Sequence, residues 1–148
     1  MSFVASATNY ANATLRASGV TSGASEQDTA VTLPDTVNEL WVVVTKTAEF
    51  NIDNLLTVRL QCQVNSVWFD VSWNSITTTQ VLTTAADLTA DVTRKTNIVD
   101  VDSTTPTYTI IAHYEALPSN VVRIASVSSG TGVINTFGVE SFYQQNNL

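Results

Sequence analysis

The side chains able to do chemistry are few and scattered. The single histidine, His113, falls between Ala112 and Tyr114 in an alternating segment. A catalytic or metal-binding histidine needs partners converging on it, and no spacing in the chain supplies them. A structural or surface histidine is expected. The single cysteine, Cys62, excludes an intrachain disulfide. It lies on the apolar face of a predicted strand, as a small buried hydrophobe rather than a reactive thiol. Serines are plentiful, yet none sits in a Gly-x-Ser-x-Gly elbow, so a hydrolase triad has no support. Glycine-rich phosphate cradles and Cys/His clusters are also missing from the sequence. Asp100 and Asp102 share one face of an extended segment, and Asp87 and Asp91 are one helical turn apart. Calcium takes oxygen ligands from such loops. The twelve-residue loop pattern is incomplete, and solvated loop acids are the expectation. No metal, no cofactor and no enzymatic activity are expected.

Aromatic residues offer a different chemistry. Trp41, Trp68 and Trp73 lie on or beside one predicted hairpin. If Trp73 shares the inward face with Phe69, Trp68 points the other way, beside Asp70. An exposed tryptophan among polar groups stacks on a sugar ring or anchors a protein contact. Trp68, Asp70 and Trp41 are therefore the candidate protein-contact or glycan-contact residues. The bland alternative is a tryptophan covered by a loop or by the N-terminal segment.

The hairpin that must position them runs from Leu55 to Trp73. Leu56, Val58, Leu60, Cys62 and Val64 fall on every second position, with mostly polar residues between. Period two predicts a strand with one buried face. After Asn65-Ser66, the alternation resumes with Val67, Phe69, Val71 and Trp73 on one side. Two turn-forming residues between alternating runs predict a β-hairpin. Asn-Ser is a weaker turn signal than Asn-Gly, which leaves room for a longer loop or a bulge. One hairpin cannot bury its own apolar face, so a second layer is required.

The rest of the chain offers only more strands. Thr29–Leu33 reads as a strand ended by Pro34-Asp35. Leu40–Thr47 carries apolar residues on both faces, as a central strand or one beneath a subunit contact does. Ile76–Leu82 reads as a weaker strand, Ala85–Val92 as a helical turn or loop, and Ile98–Val101 as a short strand. Thr107–Ala116, Val121–Ser128 and Val133–Tyr143 complete the set, with Gly138 as a bulge or close-approach point. The predicted fold is all-β: an antiparallel two-sheet β-sandwich, jelly-roll-like, over residues 29–148. Residues 1–28 are poor in large apolar side chains and are expected to form an extended N-terminal arm, floppy or lying along a neighbouring subunit. Asn12-Ala13-Thr14 matches the N-glycosylation pattern and is read as chance.

Composition narrows the partners. The chain has 148 residues, a net charge of −7 and only 13% charged residues, about half the usual share. An acidic chain is a poor ligand for nucleic acid or anionic membrane. No apolar run reaches the ~18 residues of a membrane span, and the N-terminus lacks a signal-peptide pattern. Synthesis in a cytoplasm is expected, with export only as part of an assembly.

Residues 31–143 resemble a group of small Thr/Val-rich all-β proteins encoded beside tailed-phage head genes. The resemblance is carried by Leu40–Val44, Leu56-Thr57-Val58-Arg59-Leu60-Gln61 and Trp68-Phe69-Asp70-Val71, then by Val121-Val122-Arg123-Ile124 and the Gly-Thr-Gly before Val133. Where relatives often turn with Asp-Gly before the tryptophan, this chain has Asn65-Ser66. The resemblance implies a capsid decoration or cement protein on the outside of a phage head, commonly a homotrimer. Its implied partners are the major capsid protein and copies of itself, its location is the virion, and it brings no catalytic residues. A carbohydrate-binding β-sandwich and a tail or fibre-base component are the alternatives.

Overall fold

The computed structural model describes residues 10–18, 25–46, 55–78, 95–101, 108–129 and 136–144. They form eleven strands: β1 (Tyr10–Arg16), β2 (Ser25–Gln27), β3 (Val31–Thr32), β4 (Leu40–Lys46), β5 (Leu55–Val64), β6 (Val67–Asp70), β7 (Ser75–Thr78), β8 (Asn97–Val101), β9 (Tyr108–Tyr114), β10 (Val121–Ser129) and β11 (Phe137–Gln144). All pairings are antiparallel. One sheet runs β1-β11-β4-β9-β7. The other runs β2-β10-β5-β6, with β3 beside β10 and β8 beside β5. There is no helix among the described residues, and hence none long and apolar enough to cross a membrane.

The core lies between the two sheets and follows the period-two pattern. Leu40, Val42 and Val44 of β4 face Leu56, Val58, Leu60 and Cys62 of β5, all fully buried. Ile110, Ala112 and Tyr114 of β9 and Val122 and Ile124 of β10 fill the same layer. As its two-faced pattern predicts, β4 is internal to its sheet, between β11 and β9. The Tyr114 hydroxyl has no hydrogen-bond partner among the described residues, and burial raises its pKa. Cys62 is buried, and its thiol donates weakly to the Ser119 carbonyl at 3.6 Å. Burial pushes its pKa up to about 11, which keeps it an inert thiol.

The β5–β6 connection is the two-residue hairpin the sequence predicts. Val64 pairs with Val67, and Asn65 and Ser66 take φ of 50° and 65°. Two positive φ values make a type I′ turn, whose twist matches the strands. Asparagine tolerates this conformation, whereas serine is strained in it. Ser66→Gly is therefore expected to raise stability by roughly 0.5–1 kcal/mol, after the larger freedom of glycine in the unfolded chain is subtracted. Urea titration of the two proteins reads this directly.

Two expectations are corrected. Part of the segment expected to form an arm is built into the sandwich: Tyr10–Arg16 pairs with β11, and Ser25–Gln27 with β10. Ala11 and Ala13 pack against the core, and small side chains suffice there because the strand completes an existing sheet. Between Thr14 and Arg16 the register slips by one residue, so the consecutive side chains of Leu15 and Arg16 are both buried. The second correction concerns Val67 and Phe69. They share the inward face but remain 52% and 50% exposed, while Val71 and Trp73 are buried. Gly138 is a close-approach point, since a Cβ there would meet the Ser18 Cα at 2.8 Å. The bulge of that strand pair lies on β1 instead.

Candidate functional site

The three candidate residues do not form one site. Trp41 is on the outer face of the β4 sheet, opposite His113, whereas Trp68 and Asp70 are on the outer face of the β5 sheet. The sandwich core separates them.

On the β5 sheet, cross-strand pairing assembles a polar ladder. Gln63 lies opposite Trp68, and Gln61 lies between Asp70 and Arg123. The Arg123 guanidinium stacks over the Trp68 ring at 4.1 Å from its centroid, and its Nε donates to Gln61 Oε1 at 2.8 Å. Gln61 Nε2 donates to Asp70 Oδ1 at 2.9 Å, and Arg59 bridges to Asp70 Oδ2 at 3.0 Å. The ladder sets two cations, Arg59 and Arg123, against the one carboxylate of Asp70 and holds one face of the indole against a cation. Such a cation–π contact rigidifies Trp68 and leaves only its other face for a ligand.

On the opposite sheet, the registers place Asn12, Phe142, Trp41, His113 and Ser75 in one row across five strands. The His113 ring stacks on Trp41 with centroids 4.6 Å apart and an interplanar angle of 11°. His113 Nε2 is 2.7 Å from Glu39 Oε1. This is the surface histidine expected from sequence, held by an aromatic neighbour and a carboxylate. Val43 and Ile111 lie in the adjacent row, and Phe142 is 39% exposed.

The residues sequence reasoning missed are Arg16, Glu26 and Asp28. Arg16 is buried, and its Nη1 lies 2.9 Å from Asp28 Oδ1 and 3.4 Å from Glu26 Oε2. Its Nε donates to the Phe137 carbonyl, and its Cζ sits 4.2 Å from the Phe137 ring centroid. The group ties an edge strand of one sheet to an edge of the other, beside a cleft of about 390 Å³ lined by Leu15, Asp28 and Val31. Spacing alone does not reveal it, because the bulge that turns Arg16 inward has no local signature. Burial raises the Asp28 pKa against the opposing pull of Arg16, and Glu26 adds to the rise. A carboxyl raised in the folded state is stabilising when protonated, so its contribution fades as pH climbs from about 4 through the folded pKa. Comparing wild type with Asp28→Asn across pH 4–7 is expected to show wild type losing ground as pH rises.

Among the described residues no three His, Cys, Asp or Glu side chains converge as a metal site. Asp100 lies on β8 opposite Thr57, and Asp87, Asp91 and Asp102 lie outside the described residues. No protein-family model, curated protein or solved structure matches the chain.

Proposed function

We propose that this chain is a viral structural protein, a capsid decoration or cement protein that binds the outer surface of a phage head and stabilises it. The supporting observation is the nesting of its strand pairs. β1 pairs with β11, β2 and β3 with β10, β4 with β9, and β5 with β8. A chain doubled into one long hairpin, then rolled so that its strands fall in two sheets, is the logic of a jelly roll. That architecture serves viral capsid and lectin domains alike, so fold analogy alone does not choose between them.

The surface favours the capsid reading. Trp68 and Trp41 lie on opposite sides of the sandwich, and each already has a ring face occupied, by Arg123 and His113. A glycan site needs open aromatic faces converging on one groove. Outer faces that set Trp68, Trp41 and Phe142 among polar and ion-paired side chains suit a protein–protein contact instead. In this reading the protein is made in the host cytoplasm and ends on the virion, bound to the major capsid protein. The test is a parallel assay on heads that lack the protein and on a glycan array. Raised resistance of the heads to heat on adding the protein is expected. Glycan retention abolished by Trp68→Ala, with heads left unbound, overturns it.

A further inference from the structure

We propose that the free edge of β6 is a homotypic interface, through which two copies of this chain pair their β6 strands antiparallel about a two-fold axis at Phe69. Four observations converge on this edge. First, β6 ends its sheet, with β5 on one side only among the described residues. Second, the type I′ turn makes Val64–Val67 a hydrogen-bonded pair. Bonded and non-bonded pairs then alternate, and Val71 N–H again donates to the Leu60 carbonyl. The backbone groups of Trp68 and Asp70 therefore point away from β5, as two donors and two acceptors along an open edge. Third, Val67 and Phe69 are the apolar side chains that the sequence assigns to a buried face and that the single chain leaves half exposed. Fourth, residues 64–69 carry no charge in a chain of net charge −7, and Asp70 is balanced by Arg59 at 3.0 Å.

A second copy answers these features better than an arbitrary strand. Antiparallel pairing centred on Phe69 sets Trp68 opposite Asp70 of the copy and Asp70 opposite its Trp68. All four outward backbone groups of each strand are then satisfied. It sets Phe69 against its own counterpart and Val67 against Val71, on one face. The other face brings each Trp68, with Arg123 stacked on it, beside an aspartate, which is a favourable charge arrangement. The alternative centre, Trp68, would require Ser66 to extend the strand, and its φ of 65° prevents that. Such an isologous contact closes on itself and leaves no free β6 edge for further growth. The symmetry differs from the three-fold assembly that the phage-protein resemblance implies, and the inference stands apart from the capsid reading. A dimer that ignores heads upholds the one and sinks the other.

The test uses the full chain and measures mass in solution from micromolar to ~0.1 mM, where homodimers of useful affinity assemble. A two-chain species is expected. Phe69→Glu places two carboxylates at the axis and is expected to weaken the dimer roughly a hundredfold while the single chain still unfolds cooperatively, since position 69 is half exposed. Should that variant fail to fold, Phe69→Cys provides a second reading, made in a Cys62→Ala background because Cys62 is the cross-strand partner of position 69. Directly opposed, non-bonded pairs bring Cβ atoms within disulfide reach, so mild oxidation is expected to yield a reducible two-chain product. A single-chain or three-chain mass overturns the proposal. So does a dimer indifferent to Phe69→Glu, or a Phe69→Cys protein that gives no cross-link.

Discussion

Arg16→Ala is expected to lower the unfolding free energy by about 3–5 kcal/mol, the usual cost of removing one member of a buried ion pair. The side chain is 1% exposed and lies between two carboxylates and the Phe137 ring. Its loss leaves Asp28, whose Oδ2 already has no hydrogen-bond partner among the described residues, without the guanidinium that lies 2.9 Å from its Oδ1. It also opens space over Phe137, in the layer that joins the two sheets. Arg16→Met keeps most of the packing and loses the charge, so it separates the two contributions. Guanidinium titration at neutral pH measures both variants. A loss below ~1 kcal/mol for Arg16→Ala would mean that the charges are solvated and the sheets are not tied there.

Removing residues 1–17 is expected to abolish cooperative unfolding altogether. The truncation takes away β1 and leaves β11 as an unprotected edge. It also removes Leu15 from the core, worth about 2–5 kcal/mol if it resembles other buried leucines. The Arg16 tie goes with it. Together these approach the whole stability of a typical domain, about 5–15 kcal/mol. A dispensable arm makes the opposite forecast, a sandwich that melts as before. Circular dichroism during thermal unfolding decides between them, and a sharp transition within a few degrees of the full-length chain would restore the arm.

The strands with strict alternation were legible from sequence because period two is a local property. Leu56–Cys62 and Leu40–Val44 bury the side chains their spacing predicts. The hairpin at Asn65-Ser66 was legible for the same reason. What alternation cannot report is how far the facing sheet extends. Val67 and Phe69 keep the inward parity, yet the opposite layer does not cover them. Nor does composition reveal a strand whose one large aliphatic side chain is Leu15. Tyr10–Arg16 buries Leu15 and Arg16 only because of its bulge, and its place is set by pairing with a strand more than a hundred residues away. The position of Trp41 and Trp68 on opposite faces is likewise a matter of sheet order, which a single sequence does not carry.

The most direct test of the capsid assignment is sedimentation of the purified protein with phage heads that lack it, across a range of protein-to-head ratios. Binding that saturates at a fixed number of copies per head, and that resists washing, is the predicted result. A protein that stays in the supernatant at every ratio, while remaining folded, would contradict the assignment.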